Sequence, residues 1–289
     1  MSMARNRRSR SRKRTSSNAG TWLAILGAFG VLVVLIGAGL YLFLNTEKEI
    51  ALNQDDLCPK SGARATVGIL LDTTDELADI TKTEVRDYIL KIQQELDRFY
   101  RVSVHTMDEN GLDKVPVATV CNPGRLDQMD ELAQQGLTAN PVLIQRKYQE
   151  FEDKITNAVD GIFNESFDSK QSPLLASMQA LSSELAPPSN VDSEKYLAGK
   201  NKIVFVTDLL EHTDIFSNYR TGIDFDAFKN SRATEKYGKS YKDTDLNFLM
   251  VRRNKSDFTT MQLAQFWARV IKEEFQSDIT SLKILSGEI

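Results

Sequence analysis

A run of 24 residues without a charged side chain, Thr21–Leu44, constrains this chain more than any other feature of its sequence. A helix rises about 1.5 Å per residue, so the run spans roughly 36 Å, enough to cross the ~30 Å hydrocarbon core of a bilayer. Trp22 and Tyr41 stand near its two ends, where aromatic side chains favour the membrane interface. The sequence therefore predicts one transmembrane helix over residues 21–44, in contact with the lipid bilayer.

A cleaved signal peptide is the alternative interpretation of this segment. Its apolar core would typically run about 7–15 residues and end in a small-x-small cleavage site. The run in this chain is longer, and Leu40–Asn45 offers no such site. We therefore expect the helix to be retained as a single-pass anchor.

The flanking charges predict the orientation of the anchor. Residues 5–14 contain seven basic side chains, whereas Lys48 is the only one in the first dozen residues after the span. Basic flanks stay on the cytoplasmic side, so we expect a cytoplasmic N-terminus and a periplasmic C-terminal domain, as in a bacterial inner-membrane protein. The Arg/Ser-rich tail resembles a nucleic-acid-binding arm in composition, but a topology signal attracted to anionic lipid is the simpler interpretation.

Charge also bears on the class of partner. All 40 acidic side chains lie at Glu47 or later, so the predicted exterior part is strongly acidic. An acidic body repels phosphates, and nucleic acid is therefore not expected as a partner.

Composition and charge divide the chain into four regions. We expect a basic tail over residues 1–20, the membrane helix over 21–44, a polar stalk over 45–62 and one folded domain over 63–289. The contents of 41% hydrophobic and 26% charged residues are those of an ordinary globular chain, which excludes a wholly disordered one.

Apolar runs of strand length alternate with amphipathic helices through the folded domain. Runs without polar alternation are typical of strands covered on both faces, as in parallel sheets. A strand containing Pro116 belongs at a sheet edge, because proline cannot donate a ladder hydrogen bond. We predict a doubly wound, mostly parallel α/β sheet with an antiparallel edge strand. The predicted strands are 65–72, 101–107, 115–120, 202–208, 245–251 and 281–285, and the main predicted helices are 81–100, 142–163 and 259–275.

Two cysteines, Cys58 and Cys121, lie in the predicted exterior part. An oxidising compartment permits a disulfide between them, and two unpaired thiols are the alternative. Neither a Cys-x-x-Cys motif nor histidines at ligand spacing point to zinc or redox chemistry. We predict the disulfide.

Two of the most apolar predicted strands end in aspartate, at Asp72 and Asp208. Ligands of open α/β sheets bind at the carboxyl ends of the strands, so neighbouring strands would bring these carboxylates together. Thr74 and Glu76 add further oxygen atoms to the first strand end. Carboxylates and hydroxyls without histidine or cysteine suit a hard cation such as Mg²⁺, Mn²⁺ or Ca²⁺.

With these residues the chain resembles a von Willebrand factor type A (vWA) domain, whose metal-ion-dependent adhesion site has three parts. Asp72-x-Thr74 matches the Asp-x-Ser motif after the first strand with a conservative exchange, and the sequence at 172–176 is similar to the Thr-Pro-Leu-x-x-Ala loop. The sequence at 206–208 is similar to the aspartate motif after the fourth strand. The resemblance implies that Asp72, Thr74, Ser172 and Asp208 hold one divalent cation.

The motif is degenerate at two positions. Glu76 replaces the second serine, where it could coordinate the ion itself or point to solvent, and Leu209 stands where a glycine often follows. The plain alternative is that Asp72 and Asp208 cap helices or hydrogen-bond turns without any metal. We also expect Ser172 to cap a helix that has Pro173 at its first position.

These features favour a membrane-anchored binding or scaffold module that docks a protein partner through a divalent cation. The other hypothesis is a metal-dependent hydrolase that uses the same carboxylates. No general acid or base, second metal cluster or phosphate-binding loop is recognisable in the sequence. We therefore assign no catalytic residue and predict that the protein is not an enzyme.

Overall fold

An apolar helix, α1, spans Ala19–Asn45. Its segment Trp22–Tyr41 has a mean hydropathy of 2.6, and none of that segment is buried within the protein. By length and composition this helix fits either a membrane span or a signal sequence. The predicted apolar helix is therefore confirmed, and its retention in a membrane stays a prediction.

A seven-stranded sheet organises residues 50–289, which form one compact unit. The computed structural model describes residues 19–45, 50–137, 139–165, 169–191, 196–238, 241, 243–254 and 257–289. The strands are β1 Thr66–Asp72, β2 Arg101–Asp108, β3 Gly111–Leu112, β4 Ala118–Cys121, β5 Asn201–Thr207, β6 Thr244–Arg252 and β7 Ile279–Glu288.

The strand order is β3-β2-β1-β5-β6-β7, and the pairs from β2 to β7 are parallel. Both β3 and β4 pair with β2 in the antiparallel sense, β4 at Arg101–Val104 and β3 at Met107–Asp108. The predicted fold class is thus confirmed, including the antiparallel edge. The consequence for function is that β1, β5 and β6 are neighbours and end at one edge.

Helices cover both faces of this sheet, and side chains alternate between the two faces as in any strand. Ile69 and Leu71 pack with the helices at Asp79–Glu95 and Pro141–Phe163, whereas Leu70 packs with other helices on the opposite face. Every residue of β1 is buried, because its side chains point alternately to the two faces and helices cover both. The helices are α2 Asp79–Glu95, α3 Glu131–Gln134, α4 Pro141–Phe163, α5 Leu174–Glu184, α6 Asn218–Thr221, α7 Phe225–Lys229, α8 Arg232–Tyr237 and α9 Thr260–Glu273.

Helix α2 ends five residues earlier than its apolar pattern predicts. Phe99 is fully buried, as expected, but its φ of 68° lies in the left-handed region and cannot continue a helix. Asn122 explains the ending, since its amide group donates to the Leu96 carbonyl at 2.8 Å and its own carbonyl accepts from the Phe99 N–H at 2.8 Å. A contact between distant segments therefore overrides the helical periodicity.

The disulfide between Cys58 and Cys121 is formed, as predicted. It joins the segment before β1 to the end of β4, and the Cys121 N–H also donates to the Asp56 carbonyl at 2.8 Å. The compact unit begins at Ile50, so part of the predicted stalk packs with the domain. Residues 46–49, the rest of that stalk after Asn45, lie outside the described residues.

Candidate functional site

Three neighbouring parallel strands place charged residues at one edge of the sheet. Asp72 is the last residue of β1, Asp208 directly follows β5, and Arg253 directly follows β6. Strand β5 pairs with β1 on one side and with β6 on the other. The expected juxtaposition of the two strand ends is therefore present, and beside it lies Arg253, which was not predicted as part of the site.

Asp72 is buried and each of its oxygens accepts a hydrogen bond. Oδ1 accepts from the backbone N–H of Thr74 at 3.1 Å and from its hydroxyl at 2.6 Å, and Oδ2 accepts from the Thr207 hydroxyl at 2.7 Å. Burial and then the charge of Asp208 raise the pKa of Asp72 to about 7, although these hydrogen bonds favour the ionised form. The Asp72-x-Thr74 motif thus forms a compact hydrogen-bonded turn.

Asp208 shares a guanidinium with Asp75. Arg253 donates through Nε to Asp208 Oδ2 at 2.8 Å and through Nη2 to Asp75 Oδ2. The other oxygen of Asp208 accepts from the Leu210 N–H at 2.9 Å. Burial raises the pKa of Asp208, and the charge of Arg253 opposes that rise. The buried aspartate therefore has a positive counter-charge supplied by the chain itself.

Glu76 lies away from this arrangement. Three quarters of its side chain, 75%, is exposed, and its nearest cation is Lys82, whose Nζ lies 3.9 Å from Oε1. Of the two alternatives raised by the sequence, the structure shows the glutamate directed to solvent. Thr74, by contrast, is buried beside Asp72.

Ser172 is buried at the same edge but does not cap α5. The prediction of a serine cap is wrong because Pro173 occupies the N-cap position, and Ser172 instead forms backbone hydrogen bonds to His212 in both directions, at 3.0 and 2.9 Å. Its hydroxyl oxygen is buried and has no hydrogen-bond partner among the described residues.

Glu211 performs the capping role that we expected of the serine. Its Oε2 accepts from the Leu175 N–H at 2.8 Å and its Oε1 from the Thr213 hydroxyl at 2.8 Å, which satisfies a free donor at the start of α5. Burial raises the pKa of Glu211 to about 7 despite these hydrogen bonds. Nothing local in the sequence distinguishes Glu211 from an exposed loop residue.

Arg253 could have been found from the sequence, because it directly follows the apolar strand β6.

An open cleft of about 280 Å³ lies beside Asp208 and Arg253. The His212 ring lines the cleft, and its Nδ1 lies 2.8 Å from the Ser217 hydroxyl. The ring centroids of His212 and Tyr219 are 5.1 Å apart in an edge-to-face arrangement. Tyr219 is 49% exposed. Residues that line the cleft include Thr74, Asp75, Ser172, Asp208, His212, Tyr219 and Arg253.

The donor set fits the expected divalent cation poorly. Asp72, Thr74 and Ser172 offer oxygens of the right kind, but the Arg253 guanidinium already occupies Asp208 and would repel a second cation beside it. Within the described part of the chain, no group of three or more histidine, cysteine, aspartate or glutamate side chains is arranged to hold a metal. The arrangement is a hydrogen-bonded polar network with its own internal cation.

No protein-family model and no curated protein sequence matches this chain. Among solved structures, it is similar to the pilus adhesin SpaC from Lactobacillus rhamnosus GG, at 10% identity and a TM-score of 0.39, over 79% of this chain and 29% of the adhesin. It is also similar to the TFIIH p34 N-terminal domain, at 10% identity and a TM-score of 0.31, over 74% of this chain and 88% of that domain. The chain thus spans less than a third of the adhesin. Similarity at this level identifies neither a family nor an activity.

Proposed function

We propose that residues 50–289 form a docking module for a protein partner, and that α1 anchors the module in the inner membrane with the domain in the periplasm. The docking surface is the cleft at the carboxyl ends of β1, β5 and β6. The single observation that carries this proposal is the open cleft at this edge, which the half-exposed Tyr219 and the charged side chains of Asp75 and Arg253 line. Tyrosine and arginine are enriched where proteins meet, so a cleft that presents both is suited to a protein partner.

Two further features support the resemblance to the vWA family. The pairing of β1 with β5 brings two of the matching motifs to one edge of the sheet, and Ser172 of the third motif lines the same cleft. Leu209, which replaces a glycine that often occurs there, has a φ of 62°, a conformation that glycine adopts without strain. The indole of Trp267 donates to its carbonyl at 2.5 Å and so helps to hold the strained residue in place.

Site-specific photo-crosslinking in membranes tests the docking surface. A crosslinking amino acid at Tyr219, in the cleft, should give a discrete adduct with a protein partner. The matched control is Leu197, which is 60% exposed and lies outside the cleft, before the amino end of β5. Equal adducts at both positions, or adducts at Leu197 alone, would contradict docking at the cleft.

A hydrolase remains the second candidate because two buried carboxyl groups, Asp72 and Glu211, have pKa values of about 7. Groups that titrate near neutral pH can exchange protons with a substrate. The test is turnover of phosphate and carboxylic esters by the full-length chain in detergent, with and without Mg²⁺ or Mn²⁺. Robust turnover that Asp72→Ala abolishes would replace the docking proposal.

A further inference from the structure

Arg253 sits where the sequence led us to expect an ion. Its guanidinium contacts Asp208, on the strand end next to β1, and Asp75, in the turn after β1. The Asp208 side chain is 5% exposed and the Arg253 side chain 22% exposed, so this ion pair is largely shielded from water. One cation therefore already links the two loops that a divalent ion would have bridged.

The carboxylate oxygens that would bind an ion already accept hydrogen bonds from the protein. Both oxygens of Asp208 accept hydrogen bonds, one from Arg253 and one from the Leu210 N–H. Both oxygens of Asp72 accept hydrogen bonds from threonine side chains. A divalent ion at this edge would have to compete with these donors for the same oxygens and also lie close to a guanidinium, which repels it.

We propose that Arg253 is the built-in cation of the cleft: its guanidinium takes the place of a divalent ion, so that the folded domain neither requires nor binds one. Removal of the guanidinium leaves Asp75 and Asp208 without the group that contacts both of them, close to Thr74 and Ser172 in the same cleft. Carboxylates and hydroxyls together are the ligands of hard cations, so the same cleft should then bind Mg²⁺, Mn²⁺ or Ca²⁺. This inference does not depend on what the domain docks.

The neighbouring arginine provides a matched control. Arg252 donates through Nε to the Leu285 carbonyl at 3.0 Å and lies near Glu288, on the β7 side of the strand end. The two arginines are adjacent in sequence and both follow or end β6, but only Arg253 lines the cleft. Loss of Arg252 therefore removes the same charge without freeing the carboxylates of the cleft.

Thermal unfolding of the full-length chain in detergent tests the proposal. A Trp22→Phe background leaves Trp267 as the only tryptophan, and its indole is bonded to Leu209, the residue after Asp208. Unfolding is followed by Trp267 fluorescence in EDTA and in excess Mg²⁺, Mn²⁺ or Ca²⁺. The variants are Arg253→Met, the charge-preserving Arg253→Lys, the control Arg252→Met, and Arg253→Met combined with Asp208→Asn.

In the parent, Arg253→Lys and Arg252→Met, we expect cation-dependent changes in Tm below about 1 °C. In Arg253→Met, a cation at about a hundredfold excess over its Kd should raise Tm by about 5 °C or more, and EDTA should reverse the rise. The added Asp208→Asn exchange should abolish it. A cation-dependent rise in the parent as large as in Arg253→Met, or none in folded Arg253→Met, overturns the proposal.

Arg253→Met that folds only with a divalent cation also supports the proposal. If this variant folds neither in EDTA nor with a divalent cation, the proposal is tested on the parent. Electron paramagnetic resonance then measures whether the parent binds Mn²⁺. Binding that Asp72→Asn removes would overturn the proposal, and the absence of such binding supports it.

Discussion

The two ends of the parallel sheet are held together in opposite ways. At the amino end, the disulfide between Cys58 and Cys121 lies beside the start of β2, where Cys121 pairs with Arg101, and both cysteines are buried. At the carboxyl end, Asp208 and Arg253 form an ion pair within a network of hydrogen bonds. A covalent link does not depend on ionisation, whereas an ionic link depends on the protonation state of its carboxylate. We therefore expect the disulfide at the amino end to contribute more to stability and the ion pair at the carboxyl end to be the pH-dependent link.

Burial of charged groups at the carboxyl end lowers the stability of the fold, and apolar side chains at the same positions would not have this effect. Desolvation of Asp72, Asp208 and Glu211 disfavours their ionised forms, and it raises the pKa of each. Replacing buried ion pairs by apolar side chains is often neutral or stabilising in proteins. These buried charges lie at the edge where open α/β sheets bind ligands, which agrees with the docking proposal.

The largest expected effect is loss of the covalent link. Replacing Cys58 and Cys121 together by serine should lower the free energy of unfolding by about 4 kcal/mol, because the disulfide closes a loop with a sequence separation of 63. Thermal unfolding of the full-length chain in detergent should show a fall in Tm of roughly 10 °C. A change below about 2 °C would mean that the amino end is held by its other contacts.

The second effect compares one ion pair from each end. Asp208→Ala leaves Arg253 without its buried partner and should cost about 2–3 kcal/mol. Lys200→Ala removes a pair at the amino end, where 53% of the lysine side chain is exposed, and should cost less than about 0.5 kcal/mol. Equal losses in chemical denaturation would contradict the assignment of a buried ionic link to the carboxyl end alone.

The third effect is a pH dependence that belongs to the carboxyl end. Asp72 has a folded-state pKa of about 7, above its unfolded value, so protonation stabilises the folded form. Its contribution is complete below about pH 4 and is lost as the pH rises through 7, which amounts to about 2 kcal/mol between pH 5 and 7. Asp72→Asn should remove this part of the slope.

The measurement for this third effect is the unfolding free energy of the parent and of Asp72→Asn across that pH range. The disulfide does not titrate, so the double serine variant should keep the slope of the parent. A slope in Asp72→Asn that equals or exceeds the slope of the parent would show that the pKa of Asp72 is not raised.

The smallest effect concerns a single hydroxyl. Ser172→Ala should leave stability unchanged or raise it by up to about 1 kcal/mol, because the hydroxyl has no hydrogen-bond partner among the described residues. Ser177→Ala is the control, since the Ser177 hydroxyl donates to the Pro173 carbonyl at 2.9 Å and its loss should cost about 1 kcal/mol. Both values come from chemical denaturation. A larger loss in Ser172→Ala than in Ser177→Ala would show that the hydroxyl has a structural partner.

The architecture was largely predictable because its signals are local. An apolar run such as Val204–Val206 predicts a strand with both faces covered, whatever its neighbours in the sheet. In the structure, Phe205 packs on one face and Val204 and Val206 pack on the other. The end of α2 was not predictable in the same way. The Phe99 backbone conformation depends on Asn122, 23 residues further along, and no periodicity within the helix contains that information.

The candidate site was predictable only in part. Asp72 and Asp208 follow from the rule that strand ends converge, and the same rule applied to β6 would have added Arg253. The roles at α5 were exchanged, since Glu211 caps the helix and Ser172 does not. A sequence pattern indicates only the capping residue next to the helix. In the folded chain the first N–H groups can donate to any acceptor that a neighbouring loop places at the helix start.

The sequence by itself determined the apolar helix, the alternation of strands and helices, the single possible disulfide pairing and the acidic character of the domain. These properties depend on residue types at short spacing, because burial, periodicity and charge are local quantities. The tertiary structure alone decided that the guanidinium of Arg253 lies between Asp75 and Asp208, residues that are 178 and 45 positions away in sequence. Electrostatic contacts depend on distances of a few ångströms in space, and strand order sets those distances.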